Sequence, residues 1–524
     1  MKSIIKLSKT IFFVGLLVTA LVSCSEDIMD GINEDKNHSK DAQAKFVLAD
    51  VLTSTAFYNV GGDFNTYLSA YVEHHVGVHN QLHRAEHREG EPSSSSTFNN
   101  VWGNCYTTLK NAKIVVEKCS EGGTQEGNQI TKGIGEVMVA YNLALITDMF
   151  GDTPWTEACD YLTYMNPKID KQEGIYSDIM DYLDAAIVDL QGTDGHSSGG
   201  VGAYDLMYNG DKAKWLKFAY GLKARYTMRL LNRSSNTTQD LNNILDYVSK
   251  SFTSVADQAA FAIYDASNLN PLFDFQWSRS ALSASQSLAD KLIERNDPRI
   301  RRVFIGEFGS RPYWRQVTGV NDPNYFMGPN GETVQSQGYY NSTAFCYAQT
   351  APTLLLSYHE VLFLEAEALC RLGRSTDAES VLKDAVVAGI ANAEVGVKAA
   401  IDAPTPAAYG GVIENTTAIT TAEAEDYFDD EVKPLFDANP LKEVMNQKYL
   451  AFFGASGEST ECYNDIRRLK ALGEDLITLD NPNQFPLRCP YGSDDTTANP
   501  NVQEAFGDGR YVYTEAVWWA GGSR

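Results

Sequence analysis

The sequence predicts an all-α fold, a scaffold of paired helices interrupted by long irregular loops and short strands. Apolar residues recur at helical spacing through several long segments. One such segment stops at a glycine and is followed at once by a second, Ala-rich helix. Between Phe252 and Tyr347 the texture shifts to Gly, Pro, Asn and aromatics, which reads as loops and short strands. Hydrophobic residues make up 43% and charged residues 21% of 524, which excludes a disordered or collagenous chain. The 43 basic and 68 acidic side chains give a formal charge of −25, a repulsive background for nucleic acid.

Taken in order, the chain opens with Lys2, Lys6 and Lys9 ahead of the apolar run Ile11 to Val22. That run is too short to span a bilayer and reads as the core of a signal peptide over 1–23. Leu21-Val22-Ser23-Cys24 resembles the bacterial lipobox, which makes Cys24 the expected lipid anchor; several acyl chains would hold it permanently. Cleavage there removes three lysines and leaves the chain more acidic still. Ser25-Glu26-Asp27 resembles the acidic signal that sends some lipoproteins to the outer face of an outer membrane. Residues 24–44 are polar and read as a tether to one folded domain over 45–524. Cys105, Cys119, Cys159, Cys346, Cys370, Cys462 and Cys489 are scattered without a Cys-x-x-Cys, so they read as core cysteines with room for one bridge.

In the segment Tyr358 to Leu372, Tyr358, Val361, Leu362, Leu369 and Leu372 share one helical face. Glu365 lies within that stripe and reads as a paired structural carboxylate. After Gly373, residues 377–390 align Ala378, Val381, Leu382, Ala385 and Val386. Two helices, a short turn and close Ala contacts look like a tetratricopeptide unit. Similar pairs are expected at 97–117 with 130–150, and at 173–190 with 212–231. The Ala-, Thr- and Gly-rich stretch 392–424 reads as a surface excursion.

His75, His79, His83 and His87 recur every four residues and predict one drifting helical stripe. Within it, His83-Arg84-Ala85-Glu86-His87 is a literal H-x-x-E-H, the inverted zinc-peptidase pattern. A zinc peptidase also needs a ligand from a neighbouring element, and no second histidine cluster follows. No nucleophile elbow, Walker loop or dinucleotide fingerprint is present in the sequence. Non-catalytic binding, without metal or cofactor, is the expectation.

The motifs then line up with a family. Phe150-Gly151-Asp152-Thr153-Pro154-Trp155 resembles the Tyr/Phe-Gly-Asp-Val-Pro-Tyr segment of SusD/RagB-like outer-membrane lipoproteins. Tyr208-Asn209-Gly210-Asp211 through Trp215, Leu222-Lys223-Ala224-Arg225 and Arg229-Leu230 resemble their next stretch. Asp297-Pro298-Arg299, Glu360 with Ala366-Glu367-Ala368, Gln447-Lys448-Tyr449, Asp465-Ile466-Arg467-Arg468 and the Pro486 to Tyr491 end follow in the family's order. Gly221 departs from the usual Ser, and Cys489 falls inside the terminal motif.

The resemblance implies a tetratricopeptide-like scaffold with an irregular ligand-binding region at about 252–347. It implies a lid on a SusC-like TonB-dependent barrel that captures oligosaccharides, or in some members peptides, at the cell exterior. A periplasm-facing scaffold that assembles other proteins is the alternative. The family places the ligand between the loop after the second helix and the irregular region, which makes His79, His83, Arg84, Trp277, Tyr313, Trp314, Tyr325 and Tyr339 the candidate contacts. The acidic body favours neutral glycans unless Arg84 and Arg88 are local exceptions.

Overall fold

Among the described residues, fourteen helices of eight residues or more build the scaffold. The computed structural model describes residues 42–90, 98–307 and 313–524. The signal peptide, Cys24 and nearly all of the tether therefore lie outside the described residues. In order the helices are α1 (Ala44–Ser54), α2 (Asp63–Tyr71), α3 (Asn80–His87), α4 (Asn99–Cys119), α5 (Gln129–Phe150), α6 (Gln172–Asp189) and α7 (Lys212–Arg229). They continue as α8 (Thr237–Ser249), α9 (Pro271–Arg279), α10 (Gln286–Glu294), α11 (Tyr358–Arg371), α12 (Ser375–Ile401), α13 (Pro440–Ala451) and α14 (Ser459–Ala471). Ala44–Arg524 form one compact unit.

The predicted pairs exist. α4 packs on α5, α5 on α6, α6 on α7, α7 on α8, α8 on α11 and α11 on α12, so the scaffold is a running stack of neighbours. α5 lies deep in it: every residue from Gly133 to Phe150 is buried, and its run is apolar enough to cross a membrane by length and composition. A helix apolar on all sides belongs inside a core. It ends at Gly151, whose φ of +83° suits glycine and carries the chain into a turn. Asp211 starts α7 by accepting hydrogen bonds from the Ala213 and Lys214 amides, and Asn270 caps α9 ahead of Pro271.

Buried ion pairs tie the stack together. Arg225 on α7 donates to both Glu360 oxygens on α11 at 2.7 and 2.6 Å. Arg468 on α14 grips Glu367 on α11 at 2.6 and 2.8 Å, while Lys448 on α13 reaches Asp465 at 2.7 Å. The paired carboxylates of α11 are thus Glu360 and Glu367, while Glu365 is only partly buried at the helix edge.

Three expectations are corrected. α12 does not stop near 390 but runs to Ile401, and Ala393, Gly396, Val397, Ala399 and Ala400 are buried, so the stretch 392–424 begins as core helix. Farther along, Gly411–Ile413 is a strand of the main sheet. All seven described cysteines are free, so no bridge forms among them. The histidine stripe is broken: His75 belongs to strand β1 (His75–Gly77), His79 precedes α3, and only His83 and His87 share a helical face.

The irregular region carries α9, α10 and a small four-stranded sheet. Its strands are β6 (Phe304–Glu307), β7 (Tyr313–Gln316), β8 (Ser342–Thr343) and β10 (Gly411–Ile413), ordered β10-β7-β6-β8. β10 runs parallel to β7, and the other pairings are antiparallel. β5 (Leu282–Ala284) pairs with β1, which joins this region to α2 and α3.

Candidate ligand-binding site

α9 and the sheet enclose a pocket of about 260 Å³ lined by Gln276, Trp277, Ser280, Leu282, Ser283, Trp314, Gly338, Tyr340, Ser342 and Tyr347. Its position follows from local rules. Gln276 donates its amide to the Leu282 carbonyl at 2.9 Å and accepts from the Leu282 amide at 3.0 Å, which folds the chain sharply after α9. Ser280 takes φ +46° in that turn. Trp277 follows one residue later on α9, edge-on to Tyr409 at 5.4 Å, and keeps 43% of its surface exposed. Trp314 points inward from β7 and meets Tyr347 at 4.7 Å between ring centroids. Tyr340 closes the wall, its hydroxyl accepting from the Val334 amide at 3.1 Å.

Aromatic faces set among hydroxyls suit a ligand with apolar C–H patches between polar groups. No Asp, Glu, His or Cys is on the lining. A paired-carboxylate hydrolysis needs two acids flanking the bond, and this pocket has neither.

The sequence candidates divide. Trp277 and Trp314 come together in the pocket. Tyr313, the neighbour of Trp314 on β7, is 44% exposed on the opposite face, because side chains alternate along a strand. Tyr339 is 51% exposed beside the lining residues and packs on Phe326 at 5.2 Å. Tyr325 is half-buried, its hydroxyl 3.5 Å from the Gln286 amide, and does not reach the pocket.

His79 and Arg84 line a different cleft, on the other side of α9. His83 and His87 both place Nε2 on the Thr333 carbonyl, at 3.0 and 2.9 Å, with their rings 4.1 Å apart. A carbonyl only accepts, so each Nε2 carries a proton and is not a free metal ligand. Glu86 turns the other way, fully buried, accepting from the Gly331 and Gly77 amides at 2.7 and 3.2 Å. Burial pushes its carboxyl up to about 7 against those donors. The H-x-x-E-H segment therefore holds the 328–334 loop in place and does not converge on one point. Arg88 is buried as well, donating to the Tyr71 and Asn483 carbonyls at 3.0 Å each.

Gln276, Tyr340, Tyr347 and the three serines were not predicted. Tyr340 and Tyr347 fall in the aromatic-rich region, but nothing local separates them from its core aromatics.

Comparison with known proteins gives the same picture of the fold. The family model SusD-like_2, described as starch-binding associating with outer membrane, matches residues 36–491. A solved SusD/RagB family protein from Bacteroides thetaiotaomicron VPI-5482 is 55% identical, with a TM-score of 0.87 over 92% of this chain and 100% of its own. A chitin-binding protein shares 22% identity with a TM-score of 0.66, covering 90% of this chain and 99% of its own. A SusD homolog from Bacteroides fragilis NCTC 9343 shares 19% identity with a TM-score of 0.69, covering 92% of this chain and 100% of its own. The sequence matches none of the curated proteins. With the family model spanning most of its length and the fold shared from end to end, the chain belongs to the SusD-like family.

Proposed function

We propose that the protein is a cell-surface lipoprotein, anchored through Cys24, that captures neutral oligosaccharides and passes them to a TonB-dependent outer-membrane barrel. One observation carries the ligand part of this reading: the Trp277–Trp314–Tyr340–Tyr347 pocket, aromatic-walled, edged by serines and free of acids. The family's starch-binding description and the chitin-binding relative support glucose-type or N-acetylglucosamine-type chains as first candidates. The charge of −25 supports a neutral ligand at this pocket. The role is capture without turnover, because the lining offers no carboxylate or imidazole to activate its serine hydroxyls.

Stacking contributes about 1 kcal/mol per aromatic face, so affinity is expected in the micromolar range or weaker. Titration calorimetry with maltooligosaccharides and chitooligosaccharides tests it. Trp277→Ala should weaken the better ligand about 5- to 10-fold, while Tyr313→Ala, off the pocket, should bind like wild type. Equal affinity in wild type and Trp277→Ala would sink the pocket assignment, and binding of peptides alone would sink the glycan reading.

A further inference from the structure

The second cleft, on the far side of α9, holds about 510 Å³ and is lined by His79, Asn80, Arg84, Asn100, Arg279 and Gln337 among others. Its chemistry differs from that of the aromatic pocket. In a chain of charge −25, cations are normally claimed by carboxylates or carbonyls. Among the described residues, the guanidinium groups of the other arginines are hydrogen-bonded or ion-paired within the protein. Arg84 and Arg279 are the exceptions, with neither a hydrogen bond nor an ion pair on their guanidinium groups, although burial raises the pKa of the half-buried Asp63 carboxyl and the charge of Arg279 partly offsets that rise. Arg279 rests over the Phe275 ring at 5.6 Å, a contact that uses its flat face and leaves its N–H fork unoccupied. Both residues are exposed, and both line this one cleft.

We propose that this cleft is an anion subsite that takes the carboxylate of an acidic sugar between Arg84 and Arg279. The planar fork of an arginine matches a carboxylate through two parallel hydrogen bonds, and two free forks in one cleft give a site that a neutral ligand would leave unsatisfied. Asn80, Asn100 and Gln337 add amide donors and acceptors suited to hydroxyls, and Phe275 adds a ring face. Asp63, Asp274 and Asp494 line the adjoining cleft beyond Arg279. They orient the ligand, because its charged end is repelled from that side and drawn toward Arg84. The proposal stands on these cations and does not depend on the aromatic pocket.

Calorimetry on the purified full chain, with trigalacturonate and its neutral counterpart maltotriose, tests it. Trigalacturonate should bind wild type and weaken severalfold between about 50 and about 300 mM salt. Arg84→Gln and Arg279→Gln should each weaken it about 10-fold, and together by about 100-fold. Neither guanidinium is hydrogen-bonded within the fold and Arg279 loses only an exposed ring contact, so a nearly unchanged melting temperature and unchanged maltotriose binding are expected in both variants. No binding of trigalacturonate to wild type, or equal binding by the variants, overturns the subsite. If trialanine with a free carboxylate binds as tightly and is lost in the same variants, the sugar assignment is wrong and the cleft is a peptide site.

Discussion

His74 accepts from the Ser459 hydroxyl at 3.1 Å and donates to the Tyr449 carbonyl at 3.0 Å, an arrangement that requires the neutral ring protonated on Nε2. His75 lies beside it against Thr343. Burial pushes both rings down to about 3. The unfolded chain takes up these protons from about pH 6.5 downward while the folded state refuses them, so each ring removes stability as pH falls, by up to about 1.4 kcal/mol per pH unit. Glu86 and Glu136, raised by burial to about 7, act in the opposite sense between pH 7 and 4.5 because the folded state holds their protons more firmly. A difference measurement isolates the histidine. His74→Gln keeps one acceptor and one donor, so its urea-unfolding free energy should decline less steeply than that of wild type between pH 6 and 4.5. Parallel curves would contradict the assignment. None of this was legible in the sequence, where the four-residue spacing grouped His74's neighbour with surface histidines.

At the scale of elements, Gly221 explains one departure from the family pattern. A Cβ on this residue of α7 would lie 2.4 Å from Leu356 Cδ2 and 2.6 Å from the Ser251 hydroxyl, so glycine lets strand β9 (Thr353–Leu356) approach the helix closely. Gly221→Ser should cost about 1–3 kcal/mol by urea unfolding although serine is the family's usual residue there. Unchanged stability would mean that the strand yields freely. Most helices were legible because their apolar residues repeat at 3.6. The second half of α12 is not legible in the sequence because Ala393, Gly396 and Ala400 are too small to give contrast between its faces, and Gly396 is buried against the Phe345 ring. In the site, Trp277 and Trp314 were legible as loop aromatics. Tyr313 could not be told from Trp314 without the strand register, and Tyr340 and Tyr347 reach the pocket only through long-range folding.

For the molecule as a whole, the paired helices form the scaffold, and α9 of the irregular region contributes to both clefts, with α2, α3 and α4 completing the second. The proposed lid role makes two demands. Brief protease treatment of intact cells should remove the mature chain, and detergent-solubilised outer membrane should yield it together with a TonB-dependent barrel. Survival until the outer membrane is opened would favour the periplasm-facing scaffold, and recovery as a lone monomer in mild detergent would count against the partner.

The central claim is that α9 and β7 together form a glycan pocket, and a crystal structure of the protein soaked with the better-binding neutral oligosaccharide tests it most directly. A sugar ring should stack on Trp277, with its hydroxyls facing Ser280, Ser283 and Ser342 and its far edge toward Trp314 and Tyr340. An ordered oligosaccharide bound elsewhere, with this pocket holding only solvent, would contradict it.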